Sequence, residues 1–528
     1  MLVEWKTIEV LAPEVLLVVA ASAIFVAGAF TRSRSWWAMT AIVSYLAAAV
    51  VLVTQNWPGM AQSFVTGPIV VDPMSLGLRW LGLSVGLLFT LAASRLADED
   101  FSSEFFGCIM LVATGIMVTS MANELVLLFL GLELISIPTY VLLFLGRRDQ
   151  ASQEATMKYF FLSILSSAML LYGFSFLYGL GKTTLIAGTA ANPGIREALA
   201  SSAALGGLAP LARLALALVV AGLGFKLAIA PLQFYAPDVY QGTTSGNAGL
   251  LAVAPKIAGI AALVRIVVVA MPVTAEFAWQ LALVLAMLTM TIGNVCALWQ
   301  RNIRRLMAYS SIAHGGYLLI GLAAAAAVAA TRQGSYGGGV TAMLFYVVVY
   351  AVATTGTFAA LAYLGSESRD VNAVEDLSGL AKYQPAVAGT LAVFMFSLAG
   401  LPPLAGFWGK LNLFGSAVEL ATSGPTGLAR WFALLAVVGA INAAIAAAYY
   451  LRIVAVMYFQ PATGQVPVRG GQLAFVAAAV CALAVVGVGA WPGLFLDVAN
   501  QSESVLRPQA RTVQQRVLSQ ESLVIQAE

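Results

Sequence analysis

The sequence predicts an all-α polytopic membrane protein, because of its composition, its recurring apolar runs and its sparse charges. Of its 528 residues, 60% are hydrophobic and only 10% are charged, and the mean hydropathy is +0.89. A soluble domain carries about a quarter charged residues, so most of this chain cannot face water. The length of each apolar run is close to the roughly 20 residues that a helix needs to cross about 30 Å of hydrocarbon. We therefore expect a bundle of transmembrane helices.

Hydropathy and length predict about 14 transmembrane helices. In chain order they lie near residues 9–30, 36–54, 74–94, 104–121, 123–145, 155–180, 213–240, 247–271, 276–299, 303–328, 340–364, 386–422, 430–458 and 472–496. A stretch rich in Ala, Gly and Ser, residues 187–212, separates the sixth from the seventh, and a polar tail is expected over 500–528. The first residues carry no cleavage signature, so we expect an uncleaved start and no signal peptide.

Two of the predicted spans contain residues that break helices. The seventh contains Pro231 and Pro237, and the twelfth contains Gly400, Pro402, Pro403, Gly406 and Gly409. Proline removes a backbone donor and clashes with the preceding turn, and in lipid the freed groups must be satisfied by protein or water. A pair of broken helices in corresponding places indicates an inverted-repeat transporter. Simple kinks in packed helices are the alternative.

Basic residues set the expected orientation of the chain. The loops after odd-numbered spans carry most of them: Arg32, Arg34, Arg95, Arg147, Arg148, Arg301, Arg304, Arg305, Arg369, Lys382 and Arg469. The loops after even-numbered spans carry chiefly Lys182, Arg196, Arg332 and Arg430. The positive-inside rule then predicts that both termini lie on the outer side of the membrane.

The composition also limits the chemistry of the chain. A net charge of +3 without a basic patch gives no sign of nucleic-acid binding. Cys108, Cys296 and Cys481 lie far apart inside apolar runs, which is typical of buried small hydrophobic residues. His314 is the single histidine, too few for a bis-histidine haem or a typical zinc site. We expect no redox centre and no metal ion in this chain.

Five ionisable residues are expected near mid-depth in five different spans. A charge at the bilayer centre costs about 2.5–3.5 kcal/mol on insertion scales. A functional or structural reason is therefore needed for each of these residues. At 1.5 Å per helical residue, four of them lie roughly 14–20 Å from the polar residue that precedes their span. These four are Glu133, Lys226, Lys256 and His314. The fifth residue, Lys410, follows the second broken helix. Glu124, nearer the membrane edge, is expected to be a solvated or capping carboxylate.

Matched depth favours a shared function for these five groups. A single buried lysine is as often snorkelling or structurally paired as it is functional. Chains of Asp, Glu, Lys and His at the membrane midplane are the expected construction of a proton relay. Lysine binds and releases a proton without holding a dehydrated metal cation, which argues against a pure Na⁺ path. The residues therefore predict a proton carrier.

Six stretches of sequence that hold these residues also carry a family resemblance. They are LGLELISIPTY, MKYFFLSILSSAMLLYG, FKLAIAPLQFYAPDVYQG, VAPKIAG, NIRRLMAYSSIAHGGY and SLAGLPPLAGFWGK, spread in order over about residues 105–460. Together they resemble the antiporter-like subunits of respiratory complex I, the N-type most closely. Lys410, with APDVYQG and APKIAG, favours the N-type over the M-type and L-type. The stretch TTSGNAGLL departs from the pattern, because a proline-containing linker is expected there.

This resemblance implies an architecture and a role for each buried group. Two inverted five-helix repeats, helices 4–8 and 9–13, would each contribute a half-channel around a broken helix, the seventh or the twelfth. The chain would divide into the N-terminal helices 1–100, the first repeat 101–272, the second repeat 273–460, and helix 14 with the polar tail, 461–528.

The roles of the single residues follow from the same resemblance. Glu133 would pair with Lys226 and modulate its proton affinity. Lys256 would be the central relay group, and Lys410 the residue at the exit side of the second half-channel. His314 would connect Lys256 and Lys410 through bound water. Lys158 matches a further family position that lies nearer the membrane surface.

The implied function is that of a proton-translocating membrane-arm subunit of NADH:quinone oxidoreductase, an enzyme of the translocase class, in a bacterial plasma (inner) membrane. NAD, FMN, iron–sulfur clusters and quinone would lie in other subunits. The partners would be other complex I subunits, especially the neighbouring antiporter-like and small membrane-arm subunits, and the lipid bilayer. The alternative is a subunit of a stand-alone cation/proton antiporter. A purely structural spacer is a third possibility, which the matched depths disfavour.

Overall fold

The computed structural model describes residues 5–55, 64–147, 149–188, 192–204, 209–331, 338–365, 371–462, 467–468 and 470–506, and these ranges are mostly α-helical. Within them, twelve helical segments are long and apolar enough to cross a membrane. Two shorter apolar helices, Ala12–Gly28 and Pro385–Ala399, add to that set. The prediction of an all-α polytopic membrane protein is thereby confirmed, and the count of 14 spans stays a prediction.

The helices follow one another with short connections. The first seven are α1 (Trp5–Val10), α2 (Ala12–Gly28), α3 (Arg34–Thr54), α4 (Pro73–Ala93), α5 (Ser102–Met121), α6 (Leu125–Gly146) and α7 (Gln150–Gly181). The next seven are α8 (Ile195–Ala204), α9 (Ala209–Leu227), α10 (Ala236–Gly242), α11 (Ser245–Leu263), α12 (Ala275–Leu298), α13 (Ile303–Thr331) and α14 (Gly339–Tyr363). The last six are α15 (Leu380–Tyr383), α16 (Pro385–Ala399), α17 (Ala405–Ser423), α18 (Thr426–Phe459), α19 (Gly471–Ala490) and α20 (Gly493–Leu506).

Shorter elements complete the chain. An antiparallel hairpin of β1 (Phe64–Thr66) and β2 (Ile69–Val71) precedes α4. Turns of 3-10 helix lie at Glu99–Phe101, Leu232–Tyr235, Pro272–Thr274 and Val374–Leu377. Helix α11 continues as a π-helix over Val264–Ala270.

Both helix interruptions that the sequence predicts are present. Helix α9 ends at Leu227, and the path continues through the 3-10 turn and α10. In the second interruption α16 ends at Ala399 and α17 begins at Ala405, with Gly400 between them at φ +88°. Prolines lie in both gaps, where their missing N–H and fixed φ prevent a continuous helix.

Two stretches outside the predicted spans contain helix. The stretch at 187–212 holds α8, and the expected tail begins as α20. The buried residues of α20 are Ala499, Ser502, Glu503 and Leu506. This i, i+3, i+4, i+7 spacing makes one helical face that packs on the bundle. The expected polar tail is helical as far as residue 506, and residues 507–528 lie outside the described residues.

Burial places the centre of the molecule on three helices. Over its most apolar 18 residues the segment 245–270, which contains α11, is fully buried, and the corresponding stretches of α13 and α14 are each 89% buried. By contrast, only 33% and 28% of the corresponding 18-residue stretches of α7 and α18 are buried, and both helices expose apolar side chains such as Phe161 and Val437. Helices α11, α13 and α14 therefore form the interior of the bundle.

Two buried ion pairs connect helices that are distant in sequence. Arg79 on α4 donates from Nε and Nη2 to the Glu14 carboxylate of α2, at 2.7 and 2.9 Å. Arg265, at the start of the π-helix, donates to both oxygens of Asp72 at 2.6 and 3.0 Å and to the Ser120 carbonyl at 2.8 Å. Bidentate pairs of this kind fix geometry as well as charge. The first pair joins α2 to α4, and the second joins the start of α4 to the extension of α11.

Candidate proton-relay site

The first part of the site is a lysine–glutamate pair between α6 and α9. Lys226 Nζ lies 3.3 Å from Glu133 Oε1, and the two side chains are 5% and 18% exposed. Lys226 also donates to Ser136 Oγ at 2.6 Å, and Ser167 Oγ donates to Glu133 Oε1 at 2.6 Å. The pair that the family resemblance implies is therefore in contact, and two serine hydroxyls orient its members.

Backbone groups at the helix break beside Lys226 find partners within the protein. Lys226 lies one residue before the end of α9, where a cation interacts favourably with the helix C-terminus. The Phe225 carbonyl accepts from Ala228 N at 2.9 Å and from the Tyr235 hydroxyl at 2.8 Å. Ile229 N donates to the Gly224 carbonyl at 2.9 Å. Protein groups thus satisfy the Gly224 and Phe225 carbonyls, as a break inside a membrane requires.

Lys256 lies at the centre of the bundle among neutral partners. It is 1% exposed, and its ammonium donates to the carbonyl and the hydroxyl of Ser311 on α13. Tyr350 on α14 contributes a hydroxyl at 3.4 Å and a ring whose centroid lies 5.0 Å from Lys256 Nζ. The Ser311 and Tyr350 hydroxyls are 2.8 Å apart, and the Tyr240 hydroxyl lies 3.4 Å from Ser311 Oγ. None of the ion pairs among the described residues includes Lys256.

Lys410 bridges the second helix break. Its ammonium donates to the Leu398 and Ala399 carbonyls at 2.8 and 2.9 Å, and these are the last carbonyls of α16. It also lies 5.1 Å from the ring centroid of Tyr317, within cation–π distance. A cation that caps a helix C-terminus interacts favourably with the unpaired carbonyls and the dipole. Both broken helices therefore carry a lysine at the break, one before it and one after it.

His314 lies between these lysines and binds tyrosines through both ring nitrogens. The Tyr346 hydroxyl lies 2.5 Å from Nδ1, and the Tyr450 hydroxyl lies 2.9 Å from Nε2. The Tyr450 hydroxyl is also bonded to Ser310 Oγ. The direct partners of the imidazole are thus tyrosine hydroxyls and neither Lys256 nor Lys410. Its predicted connection to the lysines through water stays a prediction.

Two further residues that the sequence analysis named lie at the edges of the bundle. Lys158 is 40% exposed and binds Glu154 at 2.6 Å and Asp238 at 2.8 Å, and Asp238 also binds Arg305 at 2.7 Å. Lys158 is therefore part of a half-exposed ion-pair cluster and not of the buried row. Glu124 directly precedes α6 and accepts from Thr184 Oγ1 at 2.7 Å.

The hydroxyl groups that surround the buried row were not predicted from the sequence. Ser311 and Tyr350 bind Lys256, and Tyr346 and Tyr450 bind His314. The only sequence signal is that Tyr346 and Tyr350 are four residues apart, so that they share one face of α14. Whether such a face meets an imidazole, a lysine or an apolar helix depends on tertiary packing. No local pattern could have identified these residues.

The site contains no group of side chains that resembles a metal centre. Among the described residues, no three or more His, Cys, Asp or Glu side chains lie together in a way that could hold a metal ion. Cys108, Cys296 and Cys481 are all free thiols. What the site offers is a sequence of proton-binding groups: a carboxylate, three amines, an imidazole and several hydroxyls.

The chain is similar to a known family over most of its length. A family model described as the transmembrane region of NADH:quinone oxidoreductase and Mrp antiporter subunits matches residues 122–446. The chain is 34% identical over 458 residues to NADH-quinone oxidoreductase subunit N of Trichlorobacter lovleyi, covering 86% of this chain and 88% of that relative. It is 32% identical over 517 residues to F(420)H(2) dehydrogenase subunit N of Methanosarcina mazei, covering 94% and 99%.

A solved structure shows the same similarity. A chain of respiratory complex I from Thermus thermophilus superposes with a TM-score of 0.75 at 30% identity, covering 93% of this chain and 99% of that one. The matched residues 122–446 include Glu133, Lys226, Lys256, His314 and Lys410. The chain therefore belongs to the family of antiporter-like membrane subunits that NADH:quinone oxidoreductases and Mrp antiporters share.

Proposed function

We propose that this chain is the N-type proton-translocating membrane-arm subunit of an NADH:quinone oxidoreductase, complex I, and that the redox chemistry is in other subunits. The observation that carries the proposal is the buried row of proton-binding groups on α6, α9, α11, α13 and α17. The row comprises Glu133, Lys226, Lys256, His314 and Lys410. The subunit N relatives support the assignment of this row to an oxidoreductase.

The mechanism is electrostatic coupling. Quinone reduction elsewhere changes a charge along the membrane arm, and this charge alters the balance of the Glu133–Lys226 pair. A proton then moves along Lys256 and His314 to Lys410. Moving one charge across 100 mV requires about 2.3 kcal/mol, and one pKa unit corresponds to about 1.4 kcal/mol. Changes of a few pKa units at successive groups therefore supply enough free energy for each transfer.

We propose that the chain crosses the membrane 14 times in two inverted five-helix repeats. The twelve long spans, together with α2 and the broken helix α16–α17, make the fourteen crossings. Within residues 101–272 the broken helix α9–α10 is the fourth of five, and within 273–460 the broken helix α16–α17 is again the fourth of five. This correspondence supports the proposed divisions 1–100, 101–272, 273–460 and 461–528.

The other assignments follow from this function. The membrane would be a bacterial plasma (inner) membrane, and both termini would lie on its outer side, as the basic loops indicate. NAD, FMN, iron–sulfur clusters and quinone would be bound by other complex I subunits, and the neighbouring antiporter-like and small membrane-arm subunits would be direct partners. The similarity to a subunit N of an F(420)H(2) dehydrogenase shows that this type of subunit also occurs with another electron donor.

The first experiment is affinity purification of the tagged chain from native membranes, with identification of the co-purifying subunits and an NADH:quinone assay. Flavin and iron–sulfur subunits with NADH oxidation are the expected result. Small membrane partners without NADH oxidation would instead favour a stand-alone cation/proton antiporter, which the family model also includes.

The second experiment tests the row itself in proteoliposomes of the purified complex. Lys226→Ala and Lys256→Ala should each lower the rate of proton translocation at least about tenfold, a loss of about 1.4 kcal/mol in transition-state free energy. Lys382→Ala, which removes an exposed lysine from α15, is the matched control and should pump normally. Normal pumping by both buried-lysine variants would show that the subunit is a structural spacer.

A further inference from the structure

A continuous chain of hydrogen bonds passes through His314. The Tyr450 hydroxyl bonds both Ser310 Oγ and His314 Nε2, the latter at 2.9 Å, and the Tyr346 hydroxyl lies 2.5 Å from Nδ1. These four side chains are between 0% and 2% exposed. They come from α13, α18 and α14, and the order along the chain is Ser310, Tyr450, His314, Tyr346.

Every member of this chain can accept one proton while it releases another. A hydroxyl is both donor and acceptor, and a neutral imidazole has one nitrogen of each kind. With both ring nitrogens bound to tyrosines, one tyrosine must donate to the ring and the other must accept from it. The hydrogen bonds therefore all point the same way along the chain, which is the arrangement that transfers a proton from one end to the other.

Each end of the chain is next to a residue that binds or precedes one of the lysines. Ser310 directly precedes Ser311, which binds Lys256, and the ring of Tyr350 lies 4.9 Å from the imidazole. At the other end, Tyr346 packs against the backbone of Gly409, the residue before Lys410. A Cβ atom at position 409 would lie 2.5 Å from Tyr346 Cδ2, so the close approach requires a glycine.

We propose that Tyr450 and Tyr346 are relay residues, and that they carry the proton between Lys256 and Lys410 together with His314. This inference rests on the proposed function. In the middle of the path, protein hydroxyls take the place of the bound water that the family resemblance implies. As a proton reaches the Tyr450 oxygen from the Ser310 side, the Tyr450 O–H bond breaks and an Nε2–H bond forms. The imidazole gives its Nδ1 proton to the Tyr346 oxygen, and Tyr346 releases its own proton toward Lys410.

The step is balanced, since each group gains one proton and loses one. It leaves all the hydrogen bonds reversed, with the imidazole in its other tautomer. The hydroxyls must rotate and the tautomer must change back before a second proton can pass. Phenylalanine in place of either tyrosine would keep the ring and its packing but interrupt the chain.

The test compares Tyr346→Phe, Tyr450→Phe and the double variant in the purified complex, reconstituted in proteoliposomes. The control is Tyr45→Phe, which removes an equally buried hydroxyl from α3, away from the row. Each single variant should assemble normally and lower the proton-translocation rate about tenfold or more, because positioned proton transfer contributes on the order of 10²–10⁴ in rate. The double variant should be no slower than the slower single variant, because a serial path is already interrupted by one change.

Each other result has a defined meaning. Normal pumping by both tyrosine variants, while Lys256→Ala stops pumping, would overturn the hydroxyl path and leave the proposed function intact. Pumping that survives Lys256→Ala would overturn both. Losses that multiply in the double variant would show independent effects and no serial path. If the tyrosine variants do not assemble, Ser310→Ala interrupts the chain at its first member; failure of all three to assemble would assign these hydroxyls a structural role and overturn the relay.

Discussion

At the scale of single residues, Lys226 and Lys256 differ in what surrounds them. Lys226 has the Glu133 carboxylate 3.3 Å away, whereas Lys256 has serine and tyrosine oxygens. A buried charge without a counter-charge is costly. Lys256 is therefore suited to hold a proton only briefly, and Lys226 to hold or share one according to the state of Glu133.

Replacement of Lys256 by arginine separates charge from proton exchange. Arginine keeps the positive charge and a similar reach, but its guanidinium does not release a proton in proteins. Lys256→Arg should therefore lower proton translocation by proteoliposomes about tenfold or more, as much as Lys256→Ala does. If Lys256→Arg pumped like the wild-type complex, the fixed charge and not proton exchange would be the contribution of this residue.

A change at Lys158 should have a small effect. The side chain is 40% exposed, and its partner Asp238 keeps Arg305 when the lysine is removed. Exposed ion pairs typically contribute about 0–1 kcal/mol. Lys158→Ala should retain at least about half of the wild-type pumping rate in the same proteoliposome assay, with Lys226→Ala as the inactive comparison. A tenfold loss would place Lys158 in the row of essential groups.

At the scale of elements, the second helix break depends on a close contact between its two halves. Gly406 in the first turn of α17 faces the end of α16, and a Cβ atom there would lie 1.7 Å from the Ser397 carbonyl oxygen. Gly400 combines φ +88° with a Cβ position 2.9 Å from Lys410 Cδ. Small residues at these positions allow the two half-helices to overlap and Lys410 to reach the α16 carbonyls.

Gly406→Ala should consequently destabilise the protein. Overpacking in a close-packed interior typically costs about 1–3 kcal/mol, so we expect a lower melting temperature in detergent and less assembled complex. Gly415→Ala, in the same helix α17, is the control, because no atom outside its own stretch of helix backbone lies within 4 Å of its Cβ position. If Gly406→Ala and Gly415→Ala melted at the same temperature, the contact between the half-helices would not limit stability.

At the scale of the whole molecule, local signals were predictable and contacts between distant segments were not. Prolines at 231, 402 and 403 mark the helix breaks in the sequence itself. Arg79 and Arg265 lie inside predicted spans, but the sequence analysis did not single them out, because their partners Glu14 and Asp72 are 65 and 193 residues away. The depth of Glu133, Lys226, Lys256 and His314 followed from helix geometry, whereas the tyrosines around them depend on the packing of α13, α14 and α18.

The Arg265–Asp72 pair should make a large contribution to stability. Arg265→Met leaves Asp72 buried without its partner, and breaking a buried pair in this way costs about 3–5 kcal/mol. The melting temperature in detergent should fall clearly, and the second change Asp72→Asn should recover part of the loss, since asparagine can still cap α4. Arg32→Ala, which removes an exposed pair with Asp100, should change stability by less than about 1 kcal/mol. Equal effects of both arginine changes would contradict this prediction.

The orientation of the molecule can be tested with alkaline phosphatase, which is active only outside the plasma membrane. A fusion to the C-terminus should be active, because the basic loops predict that both termini lie outside. A fusion after Arg301, in the loop between α12 and α13, should be inactive. The reverse pattern of activities would invert the predicted topology.

The long sequence separation within the buried row has a consequence for the way the protein is made. Lys256 is bonded to Ser311 and Tyr350, which follow it by 55 and 94 residues. At the usual 5–20 residues per second of translation, the nascent helix α11 waits about 5 to 20 s for the second of these partners. His314 waits longer still, because Tyr450 follows it by 136 residues. The hydrogen-bonded row is therefore complete only after α18 has been inserted.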